Sequence, residues 1–569
     1  MRIRQYLALT VYLALGALLV APTIDGASSP AVRGHGGAVA SAERAATEVG
    51  LEILRAGGNA VDAAVATALA LAVVHPEAGN LGGGGFAVVR MGDELASLDF
   101  REVAPAEASR DMYLDAEGRA VDDASRIGPL AAGVPGSPVG LFELHQRFGG
   151  LSWPRVVAPA LLLATEGFTV TSRLHRSLVS ERELLASFPE TARVWLPDGR
   201  PPAIGSRMRL PALAATLEAY AEAGPRALTS GPIARAIERA SDAHGGLLRA
   251  SDLESYRAVW RRPLTFDAFG WKMASMDLPS SGGIILAQTF GLLESLGWRE
   301  MPRFGADRAH LLAEAWRRSF ADRFLMGDPM SSEADSQSLL DPEWLAYRRS
   351  TLQMDRASLS ADIARWPESL PTESSDTTHI AVADSSGNLV ALTTTLNDIF
   401  GCRLLVPEAG FFLNNEMDDF AAAPGRPNLY GLVQGEANAV RPGHRMLSSM
   451  SPTLGWRGSE AVVLGGRGGG RIPTAVAQVL LHLLVDGDPL QTAVDRPRLH
   501  HQWLPDILRA EADALSPETA QELSNRGHAV EVWTRDAKVN AVRRLEDGTF
   551  EAAADPRGPG SAGVVNPIQ

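Results

Sequence analysis

Apolar positions repeat with helical spacing along residues 42–56, and the following Gly57 and Gly58 are typical of the C-terminal end of a helix. Asn59 can then cap a second helix, with Asp62 three residues later, and the Ala-rich segment continues to about Val74. The pattern predicts two packed helices. The same periodicity predicts helices over 138–147, 155–166, 210–223 and 309–324.

Strand-like segments lie between these helices, and one of them follows a run of four glycines, 82–85. The glycines lead into the apolar residues 86–89, which predicts a tight backbone passage into a strand. A phosphate-binding loop is disfavoured, because the Lys-Ser/Thr pair of such loops is missing and the order runs from helix to strand. The alternation of helices and strands predicts a layered α/β or α+β protein.

The clearest strand pattern is a pair of β-prone runs that flank five turn-forming residues, 384–388. This arrangement is typical of a β-hairpin with a five-residue loop. If Ala383 pairs with Leu389, the register places Thr377 directly opposite Thr395. Because Cβ atoms of cross-strand partners are only about 4.5–5.5 Å apart, the two hydroxyls can touch.

A threonine in this position is a candidate nucleophile. Its hydroxyl is weakly reactive and needs a base and an oriented hydrogen-bond partner. If the chain is cut before Thr377, the freed α-amine, with a reference pKa of about 7.7–8.0, supplies that base. The polar, proline-punctuated stretch 355–376 before it is predicted to be an exposed loop. Taken alone, however, the Thr-rich strand is explained more simply by β-propensity.

Segments downstream of the hairpin supply candidate groups for binding a substrate. A cluster of carboxylates and amides, 414–420, can hold an ammonium ion, and the adjacent Ser448 and Ser449 offer hydroxyls to a carboxylate. The glycine-rich segment 465–471 can direct successive backbone N–H groups at an oxyanion. The turn-rich loop 424–431 has the composition of a lid.

The N-terminus has the pattern of an export signal. Arg2 and Arg4 precede an apolar run, 6–20, and small and turn-forming residues continue through Ser29. The run is shorter than the ~20 residues of a typical membrane span, so we predict that residues 1–28 are a secretory signal peptide. An uncleaved anchor is the alternative. The protein is therefore expected to be exported, either periplasmic or secreted.

Composition and charge narrow the possible partners. A chain of 569 residues with 45% hydrophobic and 21% charged residues is typical of a globular protein. The net charge of −14 is spread without a basic stripe, so no nucleic-acid partner is expected. Cys402 is the only cysteine, which excludes an internal disulfide and a Cys-based zinc site. His500 and His501 are adjacent and point apart, so we expect no metal and no other cofactor.

Seven stretches, in order and across nearly the whole chain after the signal, closely resemble the γ-glutamyltransferases, a family of N-terminal-nucleophile hydrolases. These stretches are GGNAVDAAVA (57–66), GGGGF (82–86), FREVAP (100–105), LPSSGG (278–283), TTHIAVADSSGNLVALTTTLN (377–397), FLNNEMDDF (412–420) and LSSMSPTL (447–454). Seven ordered matches are far more specific than any one of them.

The resemblance implies a fold and a maturation step. Members of the family are made as one precursor with an α+β fold, the four-layer αββα sandwich, and they cut themselves before the threonine of the TTH motif. In this chain Thr377 would attack the carbonyl of Asp376. The cut would give a large subunit, 29–376, and a small catalytic subunit, 377–569, which together form one composite domain.

The resemblance also implies residue roles. Thr377 is the nucleophile, Thr395 hydrogen-bonds its hydroxyl, and Gly468 with Gly469 forms the oxyanion hole. Tyr430 belongs to the lid loop. The remaining residues bind the glutamyl head, the α-carboxylate through Arg101, Ser448 and Ser449 and the α-amine through Asn397, Glu416 and Asp419.

The implied activity is transfer of a γ-glutamyl group from glutathione or a related donor, through an ester on Thr377, to water or to an amino acid or peptide. Two alternatives stay open. A glutaryl (cephalosporin-type) acylase of the same fold acts on a substrate without the α-amine. Glu416 and Asp419 disfavour this alternative, because they would have no amine to bind. A non-catalytic exported homologue that never cuts itself is disfavoured by the presence of Thr377, Thr395 and the paired glycines.

Three features need separate interpretation. His379 lies two residues along the strand from Thr377, so it shares that face and is expected to support the structure rather than act as the base. Cys402 and Arg403 stand where family members commonly have Ser or Thr, which is expected to place a thiol and a cation near the pocket. The segment 466–470 is Gly-Arg-Gly-Gly-Gly instead of the common Ser-Pro-Gly-Gly-Ser, and it lacks the restraint of proline.

Overall fold

The computed structural model describes residues 28–121, 123–364, 377–421, 432–534 and 537–566. Residues 1–27 of the predicted signal peptide 1–28, Asp376 before the proposed cut, and Tyr430 of the predicted lid lie outside the described residues. Within those that are described, no helix is both long and apolar enough to cross a bilayer.

The strands fall into two large sheets and three small ones. In chain order the strands are β1 (Val32–Gly34), β2 (Gly37–Ser41), β3 (Gly84–Met91), β4 (Glu94–Asp99), β5 (Phe168–Thr169), β6 (Arg207–Met208), β7 (Val259–Arg261), β8 (Leu264–Ala268), β9 (Trp271–Ser275), β10 (Thr377–Asp384), β11 (Leu389–Thr395), β12 (Leu405–Val406), β13 (Phe411–Phe412), β14 (Thr453–Arg457), β15 (Glu460–Arg467), β16 (Leu499–His500), β17 (Leu508–Glu511), β18 (Val530–Trp533), β19 (Lys538–Arg544), β20 (Phe550–Ala553) and β21 (Ser561–Val564).

The helices of the described chain lie mainly outside the two large sheets. They are α1 (Arg44–Arg55), α2 (Ala60–Val74), α3 (Ser137–Phe148), α4 (Trp153–Glu166), α5 (Ser172–Ser180), α6 (Arg182–Ala186), α7 (Pro189–Trp195), α8 (Pro211–Ala223), α9 (Arg226–Thr229), α10 (Gly231–Ala243), α11 (Ala250–Ser255), α12 (Gly282–Ser295), α13 (Ala306–Arg323), α14 (Ser336–Leu339), α15 (Pro342–Ser350), α16 (Ser360–Ile363), α17 (Ile472–Leu480), α18 (Leu490–Asp495) and α19 (Pro517–Asn525).

The two large sheets have seven strands each and pack face to face. One has the order β21-β2-β10-β11-β3-β4-β7 and the other β1-β20-β19-β15-β14-β9-β8, and β10 of the first contacts β15 and β19 of the second. Helices α1 and α2 cover the outer face of the first sheet, and α12 and α17 cover that of the second. This arrangement is the predicted αββα sandwich, and every pair within the two large sheets is antiparallel.

The side chains of β10 show how the layers are built. Ile380 and Val382 belong to the core beneath the α1 and α2 layer, whereas Ala381 and Ala383 belong to the core that contains the second sheet. Successive residues of a strand point to opposite faces, and both faces are buried here. The small alanine side chains lie between the sheets, which lets the two backbones approach closely.

The predicted hairpin register is confirmed. Ala383 pairs with Leu389, and Thr377 lies opposite Thr395. The Asp384 carboxylate accepts hydrogen bonds from the backbone N–H groups of Ser386 and Asn388 in the turn, at 2.9 and 3.1 Å. The same carboxylate accepts the N–H of Ala60 at 2.9 Å, so it also ties the turn to the first residue of α2.

The helices predicted by periodicity are confirmed as α1, α2, α3, α4, α8 and α13, with ends that differ by a few residues. Asn59 and Asp62 form the capping box at the start of α2. One expectation fails in part. Within the stretch predicted to be an exposed loop, residues 360–363 form the helical turn α16, and Ser360 is buried because its hydroxyl donates to the carbonyl of Trp503 at 2.7 Å.

The four glycines 82–85 enter β3 as a tight backbone passage, as predicted. A Cβ atom at Gly83 would collide with the carbonyl oxygen of Thr395 and come within 2.8 Å of the Asn80 side-chain oxygen. A Cβ at Gly85 would collide with the carbonyl of Thr393. The glycines therefore allow β3 to lie against the strand that carries Thr395.

Gly83→Ala should lower the free energy of unfolding by about 1–3 kcal/mol, because overpacking at a backbone contact forces β3 and β11 apart. The matched control is Gly291→Ala in α12, where the nearest atom to the new Cβ is the Leu345 Cδ1 atom at 3.5 Å. That change should leave stability equal or slightly raised, since alanine favours a helix. Chemical denaturation of both variants is the measurement, and equal stability would contradict the packing argument.

Candidate active site

Thr377 and Thr395 meet at the open end of the central hairpin. The Thr377 hydroxyl donates to the Thr395 hydroxyl oxygen at 3.3 Å, and that oxygen also accepts the backbone N–H of Asn397 at 2.8 Å. Thr377 is 4% exposed. Asn397 has φ of 77°, and its side-chain amide donates to the carbonyl of Asn415 at 3.0 Å. The register therefore gives Thr377 the oriented partner that a nucleophile needs.

The two threonines line a cavity with an empty volume of about 290 Å³. Most of the residues predicted for the site are brought together there. The lining comprises Arg101, Arg323, Thr377, Thr395, Asn397, Glu416, Asp419, Leu432, Ser448, Ser449, Met450, Gly469, Gly470 and Ile472. Of the predicted residues within the described chain, only Gly468 is absent from this lining.

The glycine-rich segment after β15 has the backbone shape of an anion-binding turn. Gly468 and Gly469 have φ of 136° and 54°, values that favour glycine. Gly469–Arg471 forms one turn of 3₁₀ helix that leads into α17. Gly470, which the sequence did not single out, lines the cavity together with Gly469.

The charged groups of the cavity are paired with one another. The Arg101 guanidinium lies 2.6 Å from the Glu416 carboxylate and 2.5 Å from the Asp419 carboxylate, and its nearest approach to Glu102 is 3.8 Å. Arg101 is 1% exposed. Burial alone lowers the pKa of Arg101, but Glu416 and Asp419 raise it above its usual value. The guanidinium is therefore a fixed cation.

Three carboxylates share that cation, and burial raises the pKa of each. The pKa of Glu416 lies well above its usual value, and the pKa of Asp419 is also raised, although Arg101 opposes both shifts. Burial raises the pKa of Glu102 to about 8. Among the described residues, neither Glu102 oxygen has a hydrogen-bond partner.

The two predicted serines, Ser448 and Ser449, also line the cavity. Ser448 is held by backbone contacts, because its N–H donates to Pro279 and its carbonyl accepts the N–H of Ser281 at 2.9 Å. Ser449 is 7% exposed, and its hydroxyl has no partner among the described residues. A buried hydroxyl without a partner at a cavity wall is suited to an incoming anion.

Comparison with known proteins shows the family of the chain. The Gamma-glutamyltranspeptidase family model matches residues 46–565. The chain belongs to this family. It is 40% identical to the glutathione hydrolase proenzyme of Escherichia coli over 92% of this chain and 91% of that one, and 40% identical to that of Pseudomonas aeruginosa over 98% and 99%. Its fold also resembles a cephalosporin acylase from Bacillus halodurans, with a TM-score of 0.83 and 25% identity, over 95% of this chain and 98% of that one.

This γ-glutamyltranspeptidase has a second cavity arginine that sequence reasoning missed. Arg323, the last residue of α13, donates from Nε to the Ser281 hydroxyl at 3.1 Å and from Nη1 to the Gln434 side-chain oxygen at 3.3 Å. Burial lowers its pKa to about 10. It lies in no glycine-rich or acidic motif, so only its packing identifies it.

The expectation that Cys402 and Arg403 lie near the pocket is wrong. Neither lines the cavity, and Cys402 is fully buried, where burial raises the pKa of its thiol to about 12. The Arg403 side chain turns the other way and forms ion pairs with Asp398 and Glu181, both at 2.8 Å. These residues tie the loop after β11 to the segment between α5 and α6.

His379 does not line the cavity of Thr377. Its Nδ1 atom lies 2.8 Å from the Thr393 hydroxyl, and its ring packs against Gly465. Burial lowers its pKa to about 3, so the ring is neutral near pH 7. His500 and His501 point apart, toward Thr474 and Asp506 respectively.

One group of possible metal ligands occurs among the described residues, and it lies outside this cavity. His310, Glu314 and His528 place ligand atoms within 4.8 Å of one another. The Glu314 carboxylate is bound by Arg317 and Arg318, and His310 Nδ1 is 2.8 Å from His528 Nε2. The carboxylate is therefore neutralised by arginines, and we interpret the group as a buried hydrogen-bond and ion-pair cluster.

Relative to the wild type at the same pH, the Glu102→Gln variant should become more stable as the pH rises. The folded-state pKa of Glu102, about 8, exceeds the ordinary value of 4.5. Its contribution therefore favours folding below pH 4.5 and is lost as the pH rises to about 8. One pKa unit corresponds to about 1.4 kcal/mol, so the difference between variant and wild type should be measurable.

Chemical denaturation at pH 5 and pH 9 tests this expectation, with the exposed Glu218→Gln as the matched control. The variant should gain stability over the wild type at the higher pH, whereas the control should show no such trend. A difference that does not change with pH would contradict the assignment.

Proposed function

We propose that the chain is a self-processing γ-glutamyltransferase and glutathione hydrolase with Thr377 as its nucleophile. Relatives that are 40% identical to the chain are glutathione hydrolase proenzymes, and family membership makes it an enzyme of the N-terminal-nucleophile type. The observation that carries the proposal is the placement of Arg101, Glu416 and Asp419 in one buried cavity with the paired Thr377 and Thr395.

Maturation begins within the precursor. The Thr377 hydroxyl attacks the carbonyl carbon of Asp376, the peptide C–N bond breaks, and the acyl group moves to the threonine oxygen as an ester. Water then hydrolyses the ester, which leaves the Asp376 carboxylate on a large subunit, 29–376, and a free α-amine on a small subunit, 377–569. The cut thus frees the α-amine that serves as the base for the Thr377 hydroxyl in the mature enzyme.

The mature reaction follows the same chemistry. The Thr377 α-amine takes the hydroxyl proton while the oxygen attacks the γ-glutamyl carbonyl. The backbone N–H groups of Gly468 and Gly469 stabilise the oxyanion. The protonated α-amine returns the proton to the departing amine, and the γ-glutamyl ester remains on Thr377. Water or the amine of an amino acid or peptide then takes the group.

The charge pattern selects an amino-acid head. In the structure Arg101 pairs with Glu416 and Asp419. A bound γ-glutamyl donor exchanges these pairs, because its α-carboxylate takes Arg101 and the hydroxyls of Ser448 and Ser449, while its α-amine takes Glu416, Asp419 and Asn397. Each buried charge therefore remains next to a group of opposite charge, which avoids the large free-energy cost of an unpaired buried charge.

A glutaryl acylase is the second candidate, and the fold likeness to the cephalosporin acylase favours it. A glutaryl group has no α-amine, so it would satisfy Arg101 and leave Glu416 and Asp419 to take protons. The raised pKa values of both residues make that state accessible. The site nevertheless supplies two carboxylates for a cation, which the γ-glutamyl donor uses and the glutaryl group does not.

The remaining partners follow from this chemistry. The large and small subunits stay together as one composite domain, and γ-glutamyl donors such as glutathione and amino-acid or peptide acceptors are the small-molecule partners. We propose that the protein is exported, periplasmic or secreted, from the signal-like pattern of residues 1–28. The proposed mechanism uses no cofactor.

Thr377→Ala should yield one uncut, inactive chain, whereas Thr377→Ser should still be cut, since a hydroxyl remains. Thr378→Val is the matched control, because the Thr378 hydroxyl is buried without a partner and should be replaceable. Intact-mass analysis and N-terminal sequencing are the measurements. A wild-type small fragment that starts at any other residue, or cleavage of the alanine variant, would refute the mechanism.

The wild type should cleave γ-glutamyl-p-nitroanilide with a kcat/KM about 10–100-fold above that for glutaryl-p-nitroanilide, because a buried charge-assisted contact contributes about 1.5–3 kcal/mol. Asp419→Asn should remove most of that preference by lowering only the γ-glutamyl value. Asp418→Asn is the control, since Asp418 does not line the cavity. Faster glutaryl cleavage by the wild type would favour the acylase instead.

A further inference from the structure

A second cavity, with an empty volume of about 500 Å³, lies where helix α13 begins. Its lining includes Trp298, Phe304, Arg308, Leu312, Leu481 and Leu515. None of these residues takes part in the chemistry of Thr377. The wall combines residues before and after position 377, so it joins the two predicted subunits.

On the polar side of this second cavity, some hydrogen-bond donors bind the Asp486 carboxylate and others have no acceptor. The Arg308 guanidinium lies 4.6 Å above the Trp298 ring, and its Nη1 atom is 2.7 Å from the Asp486 carboxylate. His482 and Arg303 contact the other oxygen of Asp486, at 3.2 and 3.6 Å. Asp486 is therefore fully engaged.

Two buried N–H groups of the lining residues are left over. Arg308 and Trp298 are 6% and 3% exposed, and Arg308 Nε and Trp298 Nε1 have no hydrogen-bond partner among the described residues. Buried donors are nearly always satisfied in folded proteins. The guanidinium lies over the indole ring, and both residues line the second cavity. Such donors are suited to an anionic oxygen, and the surrounding leucines and aromatic rings are suited to an apolar body.

Two helices, α13 and α17, extend from the second cavity to the cavity of Thr377. Arg308 lies near the start of α13 and Arg323, which lines the catalytic cavity, ends it, so the two arginines are on the order of 20 Å apart along the helix. Helix α17 makes the same connection, because Ile472 at its start lines the catalytic cavity and Gln478 lines the second. A π-helical turn, Leu481–Val485, follows α17 at the second cavity, and such turns are frequent at functional sites.

We propose that the second cavity is a binding site for a small amphipathic carboxylic acid, whose carboxylate is bound by Arg308 and Trp298 and whose apolar body packs against the leucines and Phe304. The ligand spans the predicted large and small subunits and so stabilises their association. The proposal is independent of the γ-glutamyl activity, since no residue of that site contacts the ligand.

The test uses 2-naphthoate as the probe and 2-naphthamide as its neutral match, with binding to the purified full-length protein followed by calorimetric titration and thermal shift. Naphthoate should bind saturably and raise the melting temperature, and the amide should bind at least tenfold more weakly. No saturable binding of naphthoate, or equal binding of the amide, would overturn the proposal. This comparison needs no variant.

Two substitutions locate the probe. Leu515→Trp fills the cavity and should weaken naphthoate binding at least tenfold, whereas Val532→Trp, at a residue that is 79% exposed, should not. Arg308→Lys keeps the charge beside Asp486 but removes the Nε donor, and it should weaken naphthoate more than naphthamide. Unchanged affinity in Leu515→Trp, or purely competitive inhibition of γ-glutamyl-p-nitroanilide cleavage, would place the probe in the catalytic cavity and refute the assignment.

Discussion

The position of Thr377, the proposed nucleophile, depends on a strand register that cannot slip. A shift by one residue would turn every side chain of β10 to the opposite face. Ile380 and Val382 would then enter the narrow space between the sheets, which is now filled by Ala381 and Ala383. At the far end of the hairpin, Asp384 binds both the turn and the start of α2. The contact of Thr377 with Thr395 is therefore fixed by packing along the whole strand.

A second constraint comes from buried charge. Glu416 and Asp419 act as internal counter-ions of the buried Arg101. Removing charged groups from water is costly unless each is paired. A ligand that carries both an anion and a cation replaces these contacts without leaving a buried charge unpaired. We propose that this pairing favours a zwitterionic head over a simple carboxylate in this small, polar cavity.

The sequence predicts those parts of the structure that depend on local patterns. The hairpin register follows from alternation and a five-residue turn, and the start of α2 follows from Asn59 and Asp62. Arg323 and the raised pKa of Glu102 were not predictable, because both result from packing between distant segments. The placement of Cys402 and Arg403 was wrong for a related reason. Positive φ angles at Phe400, Gly401 and Arg403 turn the chain, so nearness in sequence to Asn397 does not bring these side chains into the cavity.

The glycine-rich segment proposed to form the oxyanion hole shows how the fold replaces a missing local restraint. Where relatives commonly have proline, this chain has Arg467, which is the last residue of β15 and pairs with Lys538 of β19. The N–H of Arg471 bonds to the carbonyl of Gly468 at 3.0 Å, and a Cβ on Gly468 would lie only 3.1 Å from Ala537. The strand ladder holds one end of the segment and α17 holds the other. Proline is therefore unnecessary, because the flexible glycines are confined between two rigid elements.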